Sequence, residues 1–138
     1  MMANSYTLHP IGVIRSDLTE LEAAPRQGYE GAPDAWIEVF PPFEQALYRI
    51  FAGDELIILT WLHRSARDVL QVHPRGEIEN PLTGVFATRS PARPNPIGLH
   101  RVTVLEINGN RLKVGPIEAI DGTPVIDIKA ALSQLDDS

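Results

Sequence analysis

The sequence of 138 residues contains no cysteine, which excludes disulfide bridges, thiolate nucleophiles and cysteine-ligated zinc. Its longest apolar runs are of strand length, so no segment reads as a membrane-spanning helix. An apolar secretory leader is also missing, and the expected location is cytoplasmic. No G-x-G-x-x-G follows a first strand and no G-x-x-x-x-G-K-[ST] occurs, which removes the two commonest phosphate cradles. The four histidines, His9, His63, His73 and His100, show neither i, i+4 pairing nor an H-E-x-x-H motif, so no metal is expected. A G-x-S-x-G elbow is absent, and Ser90, held before a proline, makes a poor substitute. The formal charge of −6 argues against a protein that coats nucleic acid by electrostatics alone.

That charge is unevenly spread. Six of the twelve basic residues, Arg64, Arg67, Arg75, Arg89, Arg93 and Arg101, fall between positions 63 and 101 beside three histidines. Only Asp68, Glu77 and Glu79 oppose them there. An acidic body with one basic region fits a local anionic ligand, and a solvated mixed-charge surface fits equally well.

The length predicts one domain over residues 1–138, large enough for a real core. Tyr6 to Ile14 reads as a first strand that Pro10 demotes to an edge, and Asp17 to Gly31 reads as a loop. Trp36 to Phe40 is a short strand. Phe43, Leu47, Ile50 and Phe51 recur at helical spacing behind Pro42, with Gly53 as the stop. Glu55 to Leu62 is a continuous apolar run suited to a central buried strand, and Val69 and Leu70 sit in another. Gly84 to Thr88 is a further strand. Leu99 to Ile107 and Arg111 to Val114 flank the turn Asn108-Gly109-Asn110, and Val125, Ile126 and Ile128 form the last strand. The pattern predicts a mainly β fold, a small closed or nearly closed β-barrel with one or two short helices.

The richest stretch is Val85 to Gly98, which holds three prolines, two arginines and an asparagine. Ser90, Arg93 and Asn95 each precede a proline, so three backbones are stiffened toward extended geometry. A rigid, non-helical loop would present Arg89 and Arg93 at little conformational cost, although a structural connector has the same composition. Either Pro94 or Pro96 could be cis on sequence grounds. Three other groups carry chemistry. Pro25-Arg26-Gln27 offers a forked donor and a carboxamide. His63-Arg64 ends the most apolar strand, where a barrel rim binds ligands. Asp121-Gly122-Thr123-Pro124 is a tight turn whose carboxylate could accept from hydroxyls or an amine.

In this order the four groups resemble the TsaA-like (TrmO) family. The match comprises Pro-Arg-Gln, strand-His, Gly-Val-Phe-Ala-Thr-Arg-Ser-x-x-Arg-Pro-Asn-Pro-Ile-Gly and Asp-Gly-Thr-Pro-Val-x-Asp-Ile-Lys, from about Ile11 to Lys129. The resemblance implies a homodimeric S-adenosylmethionine-dependent methyltransferase on a small β-barrel. It further implies N6-methylation of threonylcarbamoyladenosine next to the anticodon of tRNA. Carried over by position, cofactor contacts fall on Pro25, Arg26, Gln27, His63, Arg64, Arg89, Leu99, Asp121, Gly122, Thr123 and Pro124. The cofactor's carboxylate suits Arg26, Arg64 or Arg89, its adenine suits Leu99, and its ammonium or ribose hydroxyls suit Asp121. Arg93, Asn95 and Lys129 are the expected substrate contacts, with Arg93 facing the threonyl carboxylate.

Three departures from the family pattern bear on substrate. Lys129 is followed by Ala130-Ala131 rather than Pro-Tyr, position 100 holds His where a small polar residue is commoner, and bacterial tRNA-modifying members often carry a further C-terminal domain. A cofactor-binding module without catalysis, and a methyltransferase with a small-molecule or other non-tRNA acceptor, are the alternative readings. No residue announces itself as the catalytic base.

Overall fold

Alternating apolar side chains fold most of this chain around one apolar interior. The structure, a computed structural model, describes residues 4–17 and 33–132. Eight strands follow in chain order: β1 Gly12–Arg15, β2 Ala35–Val39, β3 Glu55–Trp61, β4 Gln71–Val72, β5 Thr83–Gly84, β6 Ile97–Asn108, β7 Arg111–Gly115 and β8 Pro124–Ala130. Six of them close a barrel in the order β1-β2-β7-β6-β3-β8, while β4 and β5 form a separate two-stranded ribbon. Every pairing is antiparallel, and β8 against β1 completes the closure. Closure removes the free sheet edges that invite aggregation.

The period of two decides what fills the barrel. Ile14, Ile37, Val39, Leu56, Ile58, Val102, Val104, Leu112, Val114 and Val125 point inward and are buried. β3 is central, paired with β6 and β8, but only Leu56, Ile58 and Thr60 are fully buried along it. Its alternate residues Ile57, Leu59 and Trp61 lie half-buried on the barrel's outside.

Several boundaries differ from the sequence pattern. The first strand begins at Gly12 rather than Tyr6, because Pro10 has no N–H to give a ladder, and Tyr6 and Leu8 stay exposed. The expected helix is a 3-10 helix, Pro41–Leu47, with prolines in its first turn. In this tighter winding, residues three apart share a face. Leu47 and Ile50 therefore pack on the core while Phe43 is left exposed. The stop comes at Arg49, at φ 72, and Gly53 serves the next turn instead. The strand expected at Gly84 to Thr88 ends at Gly84, after which Val85–Ala87 is a 3-10 turn. The strand expected at Val69 and Leu70 pairs only from Gln71, against Gly84. Among the described residues no helix is long and apolar enough to cross a membrane.

Candidate functional site

Antiparallel register gathers the motif segments at one end of the barrel. Trp61 at the end of β3 pairs with Ile97 at the start of β6, and Thr60 pairs with both Gly98 and Val125. Val13 of β1 pairs with Pro124 at the start of β8. His63-Arg64, the loop ahead of Gly98 and the turn Asp121 to Pro124 thus leave the same rim. β1 runs toward this rim as well and enters the segment carrying Pro25, Arg26 and Gln27, which lies outside the described residues. The opposite rim carries the 3-10 helix and the hairpin turn, where Asn110 Nδ2 donates to the Val39 carbonyl at 2.7 Å.

The Asp-Gly-Thr-Pro turn divides its labour. Asp121 is exposed, and one of its carboxylate oxygens accepts from the Ser16 N–H at 3.0 Å. Gly122 takes φ 87, a conformation side chains disfavour, and its N–H reaches the Ile14 carbonyl at 2.8 Å. Thr123 is buried and turns its hydroxyl back on the Ile120 carbonyl at 2.7 Å. Thr123 and Pro124 therefore join β8 to β1, and Asp121 is the member that faces solvent. Ile117, Ala119 and Ile120 just upstream are buried beneath this rim. The sequence reading overlooked them, although their spacing around Glu118 carries an apolar signal.

Residues 62–96 form a flap rooted between β3 and β6. Its two halves are tied together by backbone bonds from Leu62 N–H to the Pro96 carbonyl (2.8 Å), from Arg93 N–H to Ala66 (3.1 Å) and from Val85 N–H to Leu70 (2.9 Å). His73 Nδ1 donates to the Asn80 carbonyl at 2.9 Å, which closes the tip beyond β4 and β5. Pro94 and Pro96 are trans; among the described residues the cis bond is Gly115-Pro116.

The two arginines of the stiff loop part company. Arg93 turns inward, where its guanidinium donates to the Val85 carbonyl and, at 2.9 Å, to the Thr88 carbonyl. The pattern of prolines could not reveal this, since it depends on where two distant carbonyls converge. Arg89 is exposed and makes no hydrogen bond or ion pair with a described residue. Asn95 is held by Arg67, a residue the sequence reading passed over. Arg67 donates to the Pro94 carbonyl (2.8 Å) and to Asn95 Oδ1 (3.2 Å), and its guanidinium lies 5.1 Å from the Trp61 ring centre.

Leu99 and Lys129 lie on the barrel's outer wall. Leu99 stands opposite Leu59, which stands opposite Asp127. Lys129 is one row of side chains further from the rim, opposite Ile57, and pairs with Asp127 at 3.3 Å in an exposed ion pair. Inside the wall, just below the rim, His100 and Thr60 share a hydrogen bond of 3.0 Å. Burial lowers the His100 pKa from 6.5 to about 4, so the ring is neutral at physiological pH. Glycine at position 98 leaves room for this pair, because a Cβ there would sit 3.0 Å from His100 Nε2 and closer still to the Thr60 hydroxyl.

The chain matches the family model of the tRNA-methyltransferase O N-terminal domain over residues 13–137. It belongs to that family. Among its relatives, an Archaeoglobus fulgidus S-adenosyl-L-methionine-binding protein is 45% identical over 129 residues, covering 94% of this chain and 91% of the relative. The tRNA (adenine(37)-N6)-methyltransferase of Escherichia coli is 37% identical, covering 94% of this chain and 59% of the enzyme. The crystal structure of TrmO from Pseudomonas aeruginosa superposes with a TM-score of 0.77 at 32% identity, covering 99% of this chain and 59% of that one. This TrmO-family barrel therefore spans about three-fifths of the length of the bacterial enzymes it matches.

Proposed function

We propose that this chain is an S-adenosylmethionine-dependent methyltransferase that methylates N6 of threonylcarbamoyladenosine next to the anticodon of tRNA. The carrying observation is that the segments bearing His63, Arg64, Arg89 and Asp121 leave the same rim of the barrel, with the Arg89 guanidinium uncommitted to any described residue. This donor set fits the cofactor: a guanidinium for its carboxylate, the Asp121 carboxylate for its ammonium or ribose hydroxyls, and the exposed Leu99 for one face of adenine. Pro25, Arg26 and Gln27 join the set by their match to the family motif, and His63, Arg64, Gly122, Thr123 and Pro124 by the same match.

When bound, S-adenosylmethionine supplies an electrophilic methyl group on a positively charged sulfur. The chain's own contribution is positioning, which can account for a large part of the rate. Two carboxylates must be neutralised, one on the donor and one on the threonyl group of the acceptor. Arg64 and Arg89, exposed on the segments that leave the rim, are assigned to that task. Arg93 and Asn95, tied to the loop's own frame, keep the loop's shape and bring it to the acceptor. Lys129, on the outer wall, contributes charge at a distance from the rim. The acceptor nitrogen belongs to a urea-like group, whose proton leaves more easily than that of free adenosine. No strong base is then required, and His100, turned into the barrel toward Thr60, is not placed to serve as one.

The chain acts as a homodimer. The row Ile57, Leu59, Ile97 and Leu99 on the outer wall, with Ile97 and Leu99 exposed, supports a self-association face beside the rim.

Isothermal calorimetry with S-adenosylmethionine and transfer of labelled methyl to bulk tRNA test the proposal together. Binding with transfer is the expected result, and Arg89→Ala should weaken cofactor binding about tenfold or more, the value of a charge-assisted hydrogen bond. Binding with no transfer to any RNA favours the module, as the name of the archaeal relative would suggest. Absence of cofactor binding overturns the proposal.

A further inference from the structure

One aromatic ring of the flap has no role in the core or in the donor site. Phe86 is 85% exposed, although its turn is hydrogen-bonded on both sides. Its neighbour Val85 is buried, with 1% exposure. The Val85 N–H is bonded to Leu70, and the Val85 carbonyl accepts from the Thr88 N–H at 3.0 Å, from the Thr88 hydroxyl at 2.9 Å and from Arg93. The backbone on either side of Phe86 is thus fixed while its phenyl ring faces water. Burying such a ring is favourable, and here that gain is forgone.

The surroundings point to the occupant. Leu70, whose carbonyl meets Val85, is also exposed and extends the apolar surface. Residues 62–96 carry five arginines against Asp68, Glu77 and Glu79, so the flap is net positive, and Arg64, Arg75 and Arg89 are exposed on it. A planar apolar ring on a flap of net positive charge suits an aromatic base joined to a phosphate backbone, since every base offers a π-face to stack on and every linkage a negative charge. A ring with only two side-chain torsions, on a backbone already fixed, loses little freedom on stacking.

We propose that Phe86 is a stacking platform for an unpaired nucleobase of the RNA acceptor. This rests on the methyltransferase reading above and adds to it the contact that holds the acceptor's loop against the flap. Splayed bases of a single-stranded loop are what such a platform can reach; a paired helix hides the same faces.

The test measures methyl-transfer kinetics of the full chain on an unmethylated anticodon stem-loop for the wild type and for Phe86→Ala, Phe86→Leu and Phe86→Tyr. Calorimetry with S-adenosylmethionine and thermal melting accompany each variant. Phe86→Ala and Phe86→Leu should raise the RNA KM about tenfold, the scale of one lost base–aromatic stack. Cofactor affinity and melting temperature should stay at the wild-type value, and Phe86→Tyr should keep the wild-type KM. An unchanged KM in Phe86→Ala overturns the proposal while wild-type turnover leaves the methyltransferase reading standing. Wild-type kinetics in Phe86→Leu also overturn it, because the contact would then be merely apolar. Sedimentation showing that Phe86→Ala dissociates a dimer assigns the ring to a second copy and overturns it as well. A wild type that transfers methyl to no RNA brings down both proposals.

Discussion

At the scale of single residues, the barrel holds the ionisable ring of His100 on its inner wall, and the cost should be visible in solution. His100 has a folded-state pKa of about 4 against an ordinary 6.5. The unfolded chain therefore binds a proton at a higher pH than the folded one. The stability tied to this ring is complete above pH 6.5, declines as pH falls toward 4 and is flat below. The full span corresponds to about 3 kcal/mol at most. His100→Gln, which can keep the bond to Thr60, should remove that part of the acid sensitivity. Urea titrations of both proteins at pH 7 and pH 4.5 check it, since a wild-type loss no greater than that of the variant would show that His100 does not titrate in this window. The sequence showed a histidine near the loop but not its direction. That follows from its place in β6, where Gly98, His100 and Val102 alternate inward. Arg89 and Arg93 make the same point. Their composition is identical, but one guanidinium meets two carbonyls and the other meets solvent.

At the scale of elements, strands proved easier to read than the segments between them. β2, β3, β6, β7 and β8 lie within a few residues of the apolar runs that announce them, because a half-buried ladder imposes its period on the sequence. The short helix behind Pro42 was legible as a helix, but its 3-10 winding was not, because residues spaced by three and by four mix in its apolar pattern. The flap was misread most, since contacts between residues far apart in sequence hold it together. Arg67 is its principal tie, with two hydrogen bonds and a stack on Trp61. Net values of roughly 1 kcal/mol for each hydrogen bond and about 0.5–1 kcal/mol for an exposed cation–π contact place its contribution at a few kcal/mol of flap closure. Arg67→Ala should speed amide exchange across residues 88–96 by about tenfold or more, a conversion of at least 1.4 kcal/mol, with the barrel's slow amides unchanged. Arg67→Lys should fall close to Ala, because an ammonium lacks the planar fork that spans Pro94 and Asn95. Equal exchange in all three proteins would exclude Arg67 as the tie.

At the scale of the whole molecule, the fold was legible because a closed barrel repeats one signal around its circumference. The candidate site was named from motifs, and the meeting of three of their segments at one rim depends on register, which no single motif contains. Net charge sets the remaining expectation. Under the proposed function, an acidic chain of formal charge −6 meeting RNA through Arg64, Arg75 and Arg89 should neutralise few phosphates. The logarithm of RNA affinity should then fall with the logarithm of salt at a slope of about −2, three contacts on a single strand. Fluorescence titrations from 50 to 200 mM salt measure it, and a flat response would point to an uncharged acceptor.

The rooting of the flap has a consequence for how such chains can diverge. Trp61 and Ile97 are ladder partners, so residues 62–96 are, topologically, one long hairpin connection between neighbouring strands. Each doubling of such a connection costs only about 0.6 kcal/mol in closure entropy. The barrel can thus keep its hydrogen bonds while this one excursion is lengthened, shortened or exchanged. If the flap holds the acceptor as proposed, acceptor choice becomes a modular property, open to transplantation by grafting a flap between two fixed stems.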